Sequence, residues 1–212
     1  MSINTYAELK TAIANFLARD DLTDRIPEFI EISEARINRE LETREQEKRA
    51  TATLTADNEY VSLPTDLRQL RSVKLNKTPI VTLTYLSPDM LDQEYSSDGS
   101  GTPASYSIIG QELKIRPKPD SDMTAEIIYY GNVDALSDTN TSTTLLIRSP
   151  DIYLFGALAS AYDYLLDTAN AELYDKKFTT AIEEVRYDEQ RSNYSQGRLQ
   201  MRSSYQRQIS LR

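Results

Sequence analysis

Apolar residues recur at helical spacing over the first forty or so positions, and then the period changes. Leu9, Ile13, Phe16 and Leu17 form one stripe, the three-and-four recurrence that lines up side chains on one helix face. Just before it, Thr5 and Glu8 have the spacing of a capping box, in which each side chain satisfies a backbone N–H that a first helical turn leaves unpaired. "RDDLTD" breaks this helix. Pro27 is tolerated only in a first turn, so a second helix is predicted to start near residues 22–24. Ile26, Ile30, Ser33, Ile37 and Leu41 carry its inner face. Glu31, Glu34, Arg36, Arg39 and Glu40 read as a solvated face with opposite-charge neighbours.

From about Lys48, "ATATLT", "EYVSL", "LRSVKLN" and "PIVTLTYL" are rich in Val, Thr, Tyr and Leu with partial alternation, the pattern of short strands. Ser87-Pro88-Asp89 predicts a helical turn through Tyr95, and "SSDGSGTP" reads as a loop. "YSII" and "ELKI" flank Gly110-Gln111, a hairpin in which glycine supplies a positive φ. "MTAEIIYYG" is the last strand, and alternation turns one of Tyr129 and Tyr130 inward and the other outward. Residues 137–144 form a polar run and read as a loop.

Helix is predicted to return at Ser149-Pro150-Asp151, an N-cap followed by proline and an acid. "IYLFGALASAYDYLL" is apolar on most sides and is therefore the most buried helix. Asn170 is expected to cap a final helix with Tyr174, Phe178, Ala181, Ile182 and Val185 facing inward, its periodicity fading near Gln190. The expected fold class is α+β, a helical bundle of about four helices with an inserted small antiparallel β domain and an extended C-terminal tail. The expected division is a bundle from residues 1–47 and 148–190, a β domain from 48–147 and a basic tail from 191–212.

Charge sharpens the last boundary. The chain has 212 residues and a formal net charge of −9. Residues 191–212 contain five arginines, no lysine and no acid, while the remainder sets 19 basic residues against 33 acids, a net −14. Such asymmetry marks an interaction tail. Six apolar side chains, Tyr194, Leu199, Met201, Tyr205, Ile209 and Leu211, sit among these arginines, the mixture that contact surfaces favour. Fully extended, 22 residues cover ~70–75 Å, more than the ~40–45 Å diameter expected of a globule of this size. The tail is expected to be mobile in the free protein and to order on an acidic partner surface. A second reading makes the protein a nucleic-acid-binding one that uses this basic tail, but the body is acidic and no binding module is recognisable.

The chemistry available is narrow. The chain lacks cysteine and histidine, which removes thiolate nucleophiles and the histidine-based triads. The glycine-rich "SSDGSGTP" lacks the Gly-Lys-Ser/Thr of a phosphate-binding loop. Asp20-Asp21 and Glu183-Glu184 are the acid pairs open to an acid–base or metal-ligand reading, and a solvated face accounts for them in so acidic a chain. No catalytic residue, metal or cofactor is assigned, and the protein is expected not to be an enzyme. "MSINTYAELK" has neither the basic start nor the apolar stretch of a signal peptide, and the run 152–159 is far short of the ~20 residues that span a bilayer. A protein made in a cytoplasm, with no membrane partner, is the expectation.

Across residues 5–185 the succession "TYAELKTAIANFLARDDLTDRIPEFIEISEARINRELETREQEKRATATL", "YVSLPTDLRQLRSV", "GTPASYSIIGQELKIRPKP" and "IIYYGNVDALSDTNTSTTLLIRSPDIYLFGALASAYDYL" resembles the head-to-tail adaptor (connector) proteins of short-tailed bacteriophages, the tubular tail protein A type. The resemblance implies a non-enzymatic structural virion protein of the neck, assembled in the host cytoplasm. It implies a ring of twelve copies beneath the portal that extends the DNA channel without binding DNA specifically and forms the platform for the tail nozzle. It also implies that the C-terminal segment docks on the portal, which would make Arg191, Tyr194, Arg198, Leu199, Met201, Arg202, Tyr205, Arg207, Ile209, Leu211 and Arg212 the portal-docking residues.

Overall fold

A computed structural model describes residues 2–193 apart from Asp20 and Asp98. The first helix, α1, spans Tyr6–Leu17. Its capping box is formed: Thr5 Oγ1 accepts the Glu8 N–H at 3.3 Å, and Glu8 Oε2 accepts the Thr5 N–H at 3.1 Å. A left-handed Ala18 (φ 50°) ends it. A 3-10 turn at Thr23–Arg25 leads into α2, Ile26–Glu40, with Pro27 in its first turn. The inner stripe is the expected one, and Leu41 is buried just beyond the helix end. Glu34 departs from expectation. It is not on the solvated face but buried, 8% exposed, because it follows Ile30 by four residues and so shares the inner stripe.

Three more helices complete this layer. Helix α4 (Thr144–Arg148), α5 (Pro150–Tyr164) and α6 (Thr168–Asn193) follow the β region. The short α4 overlaps the expected 137–144 loop at Thr144 and otherwise occupies sequence assigned no helix; Thr143 caps it, its Oγ1 accepting the Leu146 N–H at 3.1 Å. Five residues are too few to show a period, yet Leu145 and Leu146 are buried among the helices. The cap of α6 is Asp167 rather than Asn170: Asp167 Oδ1 accepts the Asn170 N–H at 3.2 Å. Leu166, at φ 59°, turns the chain directly out of α5, so α6 begins early.

Helix α5 lies between its neighbours and packs on α1, α2 and α6. The closest approach is at Gly156. A Cβ there would stand 2.2 Å from Ser33 Oγ on α2 and 3.0 Å from the Phe178 ring on α6. Arg36 lies over that ring at 4.4 Å and pairs with Asp175 at 2.8 Å.

Between α2 and α4 come ten strands and the third helix of the chain: β1 (Glu47–Leu54), β2 (Tyr60–Ser62), β3 (Leu67–Leu75), β4 (Val81–Thr82), β5 (Thr84–Tyr85), α3 (Pro88–Glu94), β6 (Ser100–Gly101), β7 (Ser105–Ile109), β8 (Glu112–Arg116), β9 (Lys118–Pro119) and β10 (Met123–Gly131). One sheet runs β1-β10-β3-β4 and a second β2-β8-β7-β5, with β6-β9 as a small pair. Pairing is antiparallel except for β5-β7 and β6-β9. The β7–β8 hairpin turns at Gly110, φ +61°. Both large sheets bury their inner faces in one cluster that includes Leu54, Val73, Ile127, Leu113 and Ile115. Tyr129 points into it and its neighbour Tyr130 is half-exposed. The chain is thus α+β.

The segment after β10 is threaded back between the helices by hydrogen bonds to its backbone. Asn38 Oδ1 accepts the Val133 N–H at 2.8 Å, and Glu34 Oε1 accepts the Leu136 N–H at 2.8 Å. The Tyr6 N–H donates to Thr141 O at 2.7 Å, and Lys10 pairs with Asp138 at 3.1 Å. Leu136 is buried with the helical residues. Burial pushes the Glu34 carboxyl up to about 7; the Leu136 N–H opposes this and nearby Glu31 adds to it.

Two outcomes follow from this packing. Gly156→Ala is expected to lower stability by about 1–3 kcal/mol through overpacking, with part recovered in the Ser33→Ala double variant; chemical denaturation measures both. The raised Glu34 pKa means that the folded state holds its proton more tightly than the unfolded chain. Its contribution is therefore complete below the unfolded pKa and is lost as pH rises through about 7, a loss on the order of 2–3 kcal/mol. Denaturation at pH 5 and pH 8 is expected to show Glu34→Gln gaining stability relative to wild type by that amount.

Candidate interaction site

Of the predicted docking residues, the structure describes Arg191, which is exposed in the last turns of α6. Tyr194, Arg198, Leu199, Met201, Arg202, Tyr205, Arg207, Ile209, Leu211 and Arg212 lie outside the described residues. What the structure does show is how the helix that leads into them is held. Glu189 follows Ile182 and Val185 on the inner face of α6 and is 5% exposed. Its Oε1 lies 2.5 Å from Arg148 Nη1, and its Oε2 accepts the Arg44 N–H at 3.2 Å. Arg148 also reaches Glu45 at 3.5 Å. One turn earlier, Arg186 donates to the Glu40 carbonyl. Burial by itself would raise the Glu189 carboxyl, but the bonds from Arg148 and Arg44 outweigh it and hold it below the usual range. The bond to Glu189 likewise raises Arg148 against the effect of burial. The pair stays charged near neutral pH and pins the end of α6 against α4 and the turn at residues 44–46 that precedes β1.

A second feature is a cleft of about 580 Å³ in the β region, lined by Leu63, residues 67–71, Tyr85, Tyr106, Ile108, Gly110 and Gln111. Tyr85 meets Tyr106 edge-on at 5.7 Å. Arg68 and Arg71 supply its charge. Arg68 Nη1 donates to Leu41 O at 3.1 Å, and Arg71 pairs with Glu47 at 2.6 Å.

A further cluster of titratable groups is an ion-pair network. Lys48 lies 2.9 Å from both Asp66 and Asp134, and Tyr129 donates its hydroxyl to Asp66 at 3.0 Å. Burial opposes the charged forms here, yet the mutual bonds raise Lys48 and lower Asp66. Lysine and carboxylate are thus fixed in their ordinary charged states, the reverse of what proton transfer near pH 7 needs. Asp21 pairs with Arg19 at 2.7 Å and Asp20 lies outside the described residues; Glu183 and Glu184 are exposed. In the glycine-rich loop, Ser100 and Gly101 pair with Lys118 and Pro119. Among the described residues no group of three or more acids is placed to hold a metal ion, and no helix is long and apolar enough to cross a membrane. The arrangement is one of fixed charges and surfaces suited to contact.

Glu34 and Glu189 escape the sequence reading, although each carries a signal: an acid at the next position of an apolar helical stripe. The cleft carries none, because its walls come from strands far apart in the chain.

In comparison with known proteins, the family model described as SU10 adaptor protein matches residues 4–202, nearly the whole chain and the first part of the basic tail. No curated protein matches.

The grip on α6 generates a prediction of opposite sign to that for Glu34. Because the Glu189 pKa is depressed on folding, its contribution is present above the unfolded value and is lost as pH falls through the folded one. Glu189→Gln is expected to cost about 1–2 kcal/mol at pH 7, with allowance for the partly exposed Arg148. The difference should shrink below about pH 4.5. Amide hydrogen exchange over the last two turns of α6 should quicken in the variant at neutral pH.

Proposed function

Since the chain belongs to the SU10 adaptor protein family, a family of structural bacteriophage virion proteins rather than of enzymes, we propose that it is a non-enzymatic head-to-tail adaptor of the virion neck. Twelve copies form a ring beneath the portal, extend the DNA channel and present the platform on which the tail nozzle assembles. The observation that carries this reading is the family match over residues 4–202. In this reading residues 1–47 and 148–190 are the bundle domain, residues 48–147 the inserted β domain, and the tail, 191–212, the portal anchor. Arginines of the tail pair with portal acids while its apolar residues fill clefts between portal subunits.

Two features support the division of labour. The tail carries a net +5 with no acid, and the body carries a net −14. A body of that sign discourages phosphate contact with DNA passing through. The pairing of buried Glu189 with the partly exposed Arg148 holds the helix from which the tail departs, so that the anchor starts from a defined place.

The test is the mass of the complex formed with the cognate portal ring, full-length protein against a chain ending at Gln190. Twelve copies bound by the full-length protein, and few or none by the truncation, are expected. Equal binding by both would keep the adaptor and overturn the tail as its anchor. Binding by neither, together with salt-sensitive retention on DNA, would overturn the reading in favour of a nucleic-acid-binding protein.

A further inference from the structure

The two large sheets are joined on one side by consecutive strands. Lys74 and Leu75 of β3 pair with Thr82 and Val81 of β4, and then Thr84 and Tyr85 of β5 pair with Ser105 and Tyr106 of β7. The Leu83 N–H donates to Val73 O and the Leu86 N–H to Tyr106 O, which extends the closure by one residue on each side. Beyond it the strands diverge. Over residues 67–72, β3 is paired with β10 on one side and has no strand partner on the other among the described residues. Over residues 107–109, β7 is paired with β8 and its opposite edge likewise has no strand. The arginine-bearing cleft lies between these two edges and is lined by both.

We infer that this seam is a strand-acceptor site: an extended segment of another protein, with apolar residues alternating with acids, inserts between β3 and β7 and completes the join between the sheets. Three properties of the seam converge on that occupant. Strand edges carry backbone donors and acceptors that pair with any extended chain, and six open residues on β3 extend over about 20 Å, the length of an ordinary strand. An inserted strand points alternate side chains to opposite sides, so one set fills the apolar lining of Leu63, Leu67, Leu70 and Ile108. The charge of the lining is purely cationic, Arg68 and Arg71, in a protein of net −9. Arg71 keeps 54% of its side chain exposed while paired with Glu47, and a guanidinium has five donors, so Arg71 has room for an incoming carboxylate. The same charge disfavours this protein's own tail, which is arginine-rich and free of acids. The site stands apart from the portal anchor and gives the adaptor a second contact of different chemistry.

Fluorescence anisotropy of the full-length protein with labelled peptides tests this, the probe being an alternating Val/Glu heptapeptide. Its Val/Lys counterpart and a Val/Glu version N-methylated along one backbone edge serve as comparisons. The Val/Glu peptide is expected to bind, and both comparison peptides to bind at least about tenfold more weakly. Arg71→Glu is expected to reverse the preference between the Glu and Lys peptides, with its folding checked by circular dichroism. Equal binding of the N-methylated peptide would overturn strand insertion, and equal binding of the Lys peptide would overturn the charge assignment. No binding of the Val/Glu peptide at millimolar concentration would overturn the site. Tighter peptide binding after removal of residues 194–212 would show that the tail occupies the seam, and self-association abolished by Arg71→Glu would show that a second copy does. Either result would overturn the inference, and none of these readouts depends on portal binding.

Discussion

The fold depends on how a polypeptide that leaves a helical layer for some hundred residues is brought back into it. The returning stretch after β10 is irregular, so its backbone N–H groups need partners that no helix or sheet supplies, and a buried donor without one costs roughly 1–3 kcal/mol. Helix α2 supplies them from its own side chains, Asn38 to Val133 and Glu34 to Leu136. The start of α1 donates to the same stretch at Thr141. With the strand exit stitched to α1 and α2, Leu136 and the short α4 reach the helical core, and α5 is delivered to the groove that Ser33 and Gly156 shape. The closeness of that contact is possible because neither residue presents more than a hydroxyl.

Two buried acids show how environment assigns opposite roles to one side-chain type. Glu34 faces apolar packing and a single N–H donor, and burial dominates, so its carboxyl is raised to about 7. Glu189 is as buried, but it faces a guanidinium and a second N–H, and these dominate. The first acid serves the backbone as a hydrogen-bond acceptor. The second is half of an ion pair that ties the last helix to the junction between the layers. What remains prominent is interface chemistry: an anchored helix leading into a cationic segment, and an open seam lined by leucines and two arginines.

Local signals in the chain specify an element where the interaction that makes it is itself local. Thr5 and Glu8 cap α1 because the partners are three residues apart; Pro27 sits in a first turn because proline permits nothing else; Gly110 turns the hairpin because the turn requires a positive φ. The α3 turn through Tyr95 and the inner faces of α2 and α6 belong to the same class. They do not where the deciding contact is remote. Helix α4 is set by the core it enters and is too short to show a period. The start of α6 is displaced by the turn at Leu166, Glu34 is buried where a solvated face is expected, and Glu189 goes unassigned because its partners Arg44 and Arg148 are remote in the chain.

The sequence by itself determined the α+β class, most of the elements and the charge division between body and tail, since period, caps, turns and composition are properties of neighbouring residues; the kinship with phage adaptors rests on the resemblance of the whole succession of segments and on the family match. Only the tertiary structure decided which acids are buried, how the strand exit is bonded to α2, and where two sheets part to leave an open edge. Those depend on groups brought together from positions up to 146 residues apart, and burial and electrostatic environment exist only once distant surfaces have met.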